Sequence, residues 1–284
     1  MSVGSGSTII PCPMIVGRAT EVGLLTEALA SACSDGGRGR LVFVVGEAGI
    51  GKSRLVHDVI AEAAGRRVRV LRGRAVPGAT AAAFRPLVEA LAPLVPDLET
   101  KGELRPWLPV LAAIVPTLHA SPATDLAAPV LGEAMLRVLG AAAAAGGLLV
   151  IEDLHWADPE TVAVLEHLSD HLERVPVLCL ATVRSGESPA ADDFVRRMAD
   201  RRSAAVVTLD RLNDAQVAAM VHACTGGVAE HDLERVVALS DGVPFLVEEM
   251  LVSPGLPASF ADGVAARLAE LSADDRHVLA TAAA

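Results

Sequence analysis

The chain has 284 residues, room for one large domain and a smaller one, with 24 basic against 35 acidic residues and a formal net charge of −11. Domains that grip nucleic acid by its backbone carry a basic surface, so the acidic balance argues against direct nucleic-acid binding by these residues. Aromatics make up 2% of the chain, so Leu, Val and Ile must build the core, and Cys12, Cys33, Cys179 and Cys224 form no CxxC pair, as expected of reduced cysteines in a cytoplasmic protein.

Residues 1–14 read as a flexible lead-in, without the basic start and apolar run of a signal peptide. Leu24, Leu25, Ala28 and Leu29 then share one face of a helix, which Gly36 and Gly37 end. "LVFVV" (41–45) is a continuous apolar run, as in a central parallel strand. The loop "GEAGIGKS" follows, then the helix "RLVHDVIAEAAG" and a second strand, "RVRVLRG" (67–73). Prolines recur from 75 to 130, so short helical pieces are expected there, forming an insert against the sheet. A longer helix over about 128–145 leads to the third strand, "LLVIED" (148–153). The longest apolar stretch, "GAAAAAGGLLVI", is too short and too rich in glycine to span a bilayer, so no membrane partner is expected.

In "ADPETVAVLEHLSDHLE", Asp158 is placed to cap a helix, Pro159 takes its first position, and Leu165, Leu168 and Leu172 form its buried stripe. "VPVLCLATVR" (175–184) and "AAVVTL" (204–209) are the fourth and fifth strands. Between them Arg196, Arg197, Arg201 and Arg202 read as an exposed basic helix face. Strands stop after 212. Asn213 and Gln216 come close to a capping box, and short helices run to the end of the chain. The last apolar helix has no glycine cap and no polar tail, as expected of a segment of a longer protein. Strands alternating with helices give an α/β fold with a parallel sheet. The expected division is a lead-in (1–14), an α/β domain (15–212, with the insert at 75–130), and a helical lid followed by the start of a further domain (213–284).

"GEAGIGKS" matches G-x-x-x-x-G-K-[ST] and lies between an apolar strand and a helix, the context of a P-loop. Gly46, Gly49 and Gly51 let the backbone curl so that its N–H groups face phosphate oxygens. The helix starting near Gly51 adds its N-terminal dipole. Lys52 can reach the β- and γ-phosphates, and the Ser53 hydroxyl can ligate Mg²⁺. The expected cradle for ATP or ADP is therefore Gly46, Glu47, Ala48, Gly49, Ile50, Gly51, Lys52, Ser53 and Arg54.

A P-loop needs an acid at the tip of a neighbouring strand to hold the metal. "LLVIED" supplies Glu152 and Asp153, which would point to opposite faces if both stayed on the strand. By position Glu152 is the metal-side acid beside Ser53, and Asp153 orients or deprotonates the attacking water. Trp156 is expected as a wedge between strand and helix. His167 and His171 have metal-ligand spacing, but no acid or cysteine partners them.

Taken in order, "IVGRATEVGLL", "GEAGIGKSRLV", "LLVIEDLHWADPET", "LCLATVR" and "SDGVPFLVEEML" resemble the AAA-like ATPase module of the STAND class, as in the large ATP-binding regulators of the LuxR family and in bacterial adenylate cyclases. The resemblance covers about residues 15–284. It implies a P-loop NTPase with a five-stranded parallel sheet in the order 5-1-4-3-2, a C-terminal helical domain and the start of a winged-helix region. It places Val16, Gly17 and Arg18 near adenine and ribose. Arg184 becomes the sensor of the γ-phosphate, and Gly242 and Pro244 a Gly-x-Pro motif touching the base. It further implies a regulatory switch with ATP/ADP and Mg²⁺ as ligands, possible self-association in the ATP state, and DNA contacts made by a domain outside this chain. Glu152 departs from the aspartate of many relatives, which leaves the hydrolysis rate open. An adenylate cyclase or kinase signalling module and a non-hydrolysing scaffold remain the alternatives. A transporter ATPase does not fit, because "LSDG" (239–242) follows the acidic strand instead of preceding it.

Overall fold

The computed structural model describes residues 12–252 except 35, 79–82, 125, 144–145 and 227–228, together with the isolated positions 275 and 278. The expected lead-in up to residue 11 and the expected start of a winged-helix region after 252 lie outside the described residues, save for those two positions. The chain forms two compact units, Arg18–Asp210 and Met1–Gly17 with Arg211–Ala284.

The larger unit is an α/β fold. Its five strands, β1 (Arg40–Gly46), β2 (Arg69–Arg74), β3 (Gly147–Glu152), β4 (Val177–Arg184) and β5 (Ala204–Thr208), lie in the order β2-β3-β4-β1-β5. Every pairing is parallel, so the sheet agrees with the expected order 5-1-4-3-2. The central strands β3 and β4 are buried almost throughout, which is why their sequences are unbroken apolar runs. The helices are α1 (Ala19–Ala32), α2 (Lys52–Gly65), α3 (Arg85–Leu91), α4 (Val95–Thr100), α5 (Leu108–Ala112), α6 (Ala128–Ala142), α7 (Pro159–His171) and α8 (Pro189–Asp200). Helices α3 to α5, joined by 3-10 turns, make up the proline-rich insert; Pro at the first or second position starts each of them without the loss of a needed N–H.

One core joins the sheet to the insert and to α6–α8. Phe43 and Phe194 meet edge to face in it, with centroids 5.6 Å apart. Leu165, Leu168 and Leu172 are fully buried, and Asp158 caps α7 by accepting from the Thr161 N–H at 2.8 Å. Leu24 departs from the expected buried face of α1 and is exposed, while Leu25, Ala28 and Leu29 are buried.

Most strand ends shift by one or two residues from the expected ones, and two of the shifts have a backbone cause. Strand β2 starts at Arg69, not at 67, because Arg67 turns left-handed (φ 59°) and closes α2 through its N–H to the Ala64 carbonyl. Strand β3 ends at Glu152. Asp153 is also left-handed (φ 55°) and leads into the 3-10 turn Leu154–Trp156, so the two acids do not simply alternate on one strand.

In the smaller unit, α9 (Asp214–Thr225), α10 (Glu230–Ser240) and α11 (Pro244–Val252) pack on one another. Asn213 and Gln216 form a full capping box on α9. Cys12, Val217, Met220, Val221, Val236, Val247 and Met250 form its core. None of the four cysteines is in a disulfide. Among the described residues no helix is long and apolar enough to cross a membrane.

Candidate functional site

In a parallel sheet the carboxyl ends of the strands share one edge, where α/β proteins bind ligands. Gly46, which closes β1 and opens the P-loop, pairs in register with Arg184 at the end of β4, and Arg74 at the end of β2 pairs with Glu152 at the end of β3. Four strand ends thus present loop, sensor candidate, acids and a basic neighbour along one edge.

The loop has the curl its glycines suggest. Gly49 (φ 75°) and Gly51 (φ 102°) are left-handed, and Gly51 caps the N-terminus of α2. Glu47, Ala48, Gly49 and Ser53 are exposed, Ile50 is buried beneath the loop, and Arg54 pairs with Asp58 one turn along α2 at 3.9 Å. Lys52 is buried, and its ammonium donates to the carbonyls of Gly46 (2.8 Å) and Glu47 (2.7 Å). Burial, then the Arg184 guanidinium, push the lysine down to about 8 against the pull of Asp153, Glu187 and Glu47. From the amino-terminal side Arg18 is buried and donates to the carbonyls of Ile50 (3.4 Å) and Asp210, fixing the floor of the loop.

The two acids are both buried and face different arginines. Glu152 accepts from Arg72 Nε at 2.5 Å. Asp153 Oδ2 accepts from Arg74 Nε (2.8 Å) and Nη2 (2.7 Å), while the Asp153 N–H donates to Thr182 Oγ1 (2.9 Å). Arg72 and Arg74 lie two apart on β2, so both project from the same face. Of the two acids, Asp153 is the one whose charge acts on Lys52.

Arg184 is half-buried. Its Nη1 lies 3.2 and 3.3 Å from the two carboxylate oxygens of Glu187, and its guanidinium stands 4.8 Å over the Trp156 ring. Trp156 is half-buried and lies outside the core cluster, so in place of the expected buried wedge it offers its ring face to a cation. His155 is buried beside it; its Nδ1 accepts from the Arg184 N–H (3.4 Å), and burial followed by Arg184 lowers its pKa.

The larger unit thus brings together Arg18, the P-loop, Glu152, Asp153 and Arg184. Val16, Gly17, Gly242 and Pro244 belong to the smaller unit. There Gly17 is left-handed (φ 69°) and its carbonyl accepts from Gln216 Nε2 at 3.4 Å. Gly242 is left-handed (φ 70°) and accepts from the Leu212 N–H at 2.8 Å; a Cβ on it would lie 2.1 Å from the Leu212 carbonyl oxygen, so that packing requires glycine. Pro244 opens α11.

Sequence reasoning missed Arg72, Arg74, Thr182 and Glu187. The alternation of "RVLRGR" carried a signal for the first two, since two arginines on one face of an edge strand need anions or water. Arg196, Arg197 and Arg201 are ion-paired with Asp193, Glu166 and Asp170, which occupies that basic face internally. His167 stacks on His171 with centroids 4.4 Å apart and packs against Gly132; no cluster of three metal-ligating side chains occurs among the described residues.

A family described as an AAA ATPase domain matches residues 15–180. An uncharacterised protein of Rhizobium meliloti (strain 1021) is 26% identical over 171 residues, covering 52% of this chain and 16% of that protein. Two solved structures have similar folds. One is a Signal Transduction ATPase with Numerous Domains (STAND) protein with a tetratricopeptide repeat sensor, from Pyrococcus horikoshii (15% identity, TM-score 0.53, 95% of this chain and 35% of that one). The other is the ORC2 protein of Aeropyrum pernix in ADPNP–ADP complexes (14% identity, TM-score 0.54, 84% of this chain and 62% of that one). The chain thus spans a small part of the Rhizobium protein and about a third of the Pyrococcus one. With a P-loop closing β1 at the carboxyl edge of the sheet and the family's match covering more than half of its length, the chain belongs to the AAA ATPase domain family, whose members bind nucleotide.

Proposed function

We propose that the chain is a nucleotide-operated switch that binds ATP or ADP with Mg²⁺ and hydrolyses ATP slowly. The observation that carries this is the gathering of Lys52, Asp153 and Arg184 at one sheet edge, close enough that both other charges act on the lysine. In this reading, loop N–H groups and the α2 N-terminus hold the β- and γ-phosphates. Lys52 turns from the Gly46 and Glu47 carbonyls to phosphate oxygens. The exposed Ser53 hydroxyl and Glu152 would hold Mg²⁺, Glu152 exchanging its bond to Arg72 for the ion. Asp153, on the lysine side, orients the attacking water, and Arg184 reads the γ-phosphate. A bound Mg²⁺ would supply charge neutralisation between the phosphates.

The further reading is that the module serves a cytoplasmic transcriptional regulator of LuxR type, with Val16, Gly17 and Arg18 near adenine and ribose, the Gly242–Pro244 motif touching the base through its proline, self-association in the ATP state, and DNA contacts made outside these residues. The resemblance of the motifs and the charge of −11 support it. An ATPase acts as a switch only if the two nucleotides favour different states.

The test combines calorimetry, steady-state turnover and solution scattering. ATP and ADP should both bind, Lys52→Ala should lose ATP binding by about a hundredfold, with the effect confined to nucleotide-dependent readouts, and ATP should alter the scattering profile or mass relative to ADP. Binding without turnover in the unaltered chain would favour a scaffold. Identical profiles with the two nucleotides would remove the switch.

A further inference from the structure

The turn that follows β4 carries a feature that the phosphate site does not use. Gly186 is left-handed (φ 77°), and its N–H donates to Asp192 Oδ2 at 3.1 Å in α8. On the other side, the Ser185 N–H donates to the Gly46 carbonyl at 3.3 Å, at the mouth of the P-loop. Pinned at both ends, the turn folds Glu187 back over Arg184, and its two oxygens straddle Nη1 at 3.2 and 3.3 Å. The same carboxylate lies 3.5 Å from His155 Nε2.

The histidine is unusual in its polar bookkeeping. Its side chain is fully buried, and its Nδ1 accepts from the Arg184 N–H. A neutral imidazole that accepts at one nitrogen carries its hydrogen on the other. That hydrogen is on Nε2, and Nε2 has no hydrogen-bond partner. A buried donor without an acceptor is a rare arrangement, and here a carboxylate oxygen of Glu187 stands 3.5 Å away, at the outer limit of hydrogen-bond distance.

We propose that Glu187 is a latch on Arg184 with two seats: on the guanidinium, and on the Nε2–H of His155. In the first seat Glu187 and the Trp156 face hold Arg184. When a γ-phosphate draws Arg184 away, Glu187 moves to His155 and satisfies the buried donor. The latch weakens binding of a triphosphate and leaves a diphosphate untouched, because only the triphosphate recruits Arg184. Glu187 is thus a positioning residue that sets how strongly the γ-phosphate counts. The proposal rests on the reading of Arg184 as the group that senses that phosphate.

The experiment is calorimetry on the full chain with ADP and a non-hydrolysable ATP analogue. Glu187→Gln should tighten the analogue by about fivefold, the upper range for releasing an exposed ion pair, and leave ADP unchanged. Glu187→Ala should act in the same direction. In an Arg184→Ala background Glu187→Gln should be silent for both nucleotides. His155→Phe should weaken the analogue in the presence of Glu187 and have no such effect with Glu187→Gln; His155→Gln, which keeps a donor and an acceptor, should restore binding. The latch is overturned if Glu187→Gln changes both nucleotides alike, changes neither, or acts equally without Arg184. If Arg184→Ala leaves the ratio of analogue to ADP affinity unchanged, the sensor reading itself falls, and the latch with it. Thermal unfolding of each variant separates these outcomes from loss of the fold.

Discussion

The P-loop and the tip of β3 are neighbours on one edge of the sheet, but they are built in opposite ways. The loop is self-contained. Lys52 donates to carbonyls five and six residues away, and the glycines that shape the turn lie in the same eight residues. The acids depend on distant strands: Arg72 and Arg74 reach them from β2, and Thr182 from β4. A local device is fixed by a short motif wherever the fold places it. A device assembled from three strands is only as secure as the sheet.

Two glycines expose this difference. An added Cβ at Gly51 would meet nothing within 4 Å, so Gly51→Ala costs only left-handed strain, about 1–2 kcal/mol. At Gly73, between Arg72 and Arg74, the same Cβ would lie 1.7 Å from the backbone carbonyl oxygen of Pro86, where α3 crosses β2. Backbone cannot step aside as a side-chain tip can, and Gly73→Ala is expected to cost about 3 kcal/mol. Urea unfolding of the two variants gives the comparison directly. Equal losses would mean that the acid end is no more dependent on distant packing than the loop.

The same contrast explains how much was legible beforehand. The P-loop, the strand order and the Asp158 and Asn213 caps follow from residues close in sequence or from a motif with one known topology. The left-handed turn at Asp153 was not legible, since nothing in "LLVIED" marks where the strand stops. The pairing of Arg72 with Glu152 spans 80 residues, and a single sequence offers no local signal for it. Glu187 lies near Arg184 in sequence, but its fold-back depends on Gly186 and on Asp192 in α8.

A second contrast is electrostatic. Burial holds Lys52 down to about 8, below its ordinary 10.5. Its ammonium is charged at pH 7 and is lost as pH rises through 8. Between about 8 and 10.5 an unfolded lysine binds the proton that the folded one has released, so this group makes stability rise with pH across that window. Nucleotide binding goes the other way, because phosphates need the charged form. ATP affinity should therefore fall above pH 8, approaching about tenfold per pH unit, while resistance to urea does not fall in step. An affinity that stays flat to pH 10 would mean that Lys52 does not contact phosphate.

The smallest effect is expected at the acids. Arg72 and Arg74 have side chains 59% and 57% exposed, whereas Glu152 and Asp153 are 5% and 9% exposed. Each pair therefore joins a mobile, hydrated cation to a fixed, buried anion, and a pair with one exposed partner contributes up to about 1 kcal/mol. If Asp153 orients the attacking water, Arg74 competes with that water for the same oxygen. Arg74→Ala should then raise turnover about two- to fivefold at unchanged ATP affinity. By the same argument Arg72→Ala should free Glu152 and lower the Mg²⁺ concentration needed for half-maximal turnover, leaving the rate at saturating Mg²⁺ unaltered. The two variants also separate the acids' roles: an Arg72→Ala change in turnover at saturating Mg²⁺, with an Arg74→Ala change in Mg²⁺ demand, would exchange the assignments of Glu152 and Asp153. Slower turnover in Arg74→Ala would give Arg74 the opposite part, that of holding Asp153 in its working position across the left-handed turn.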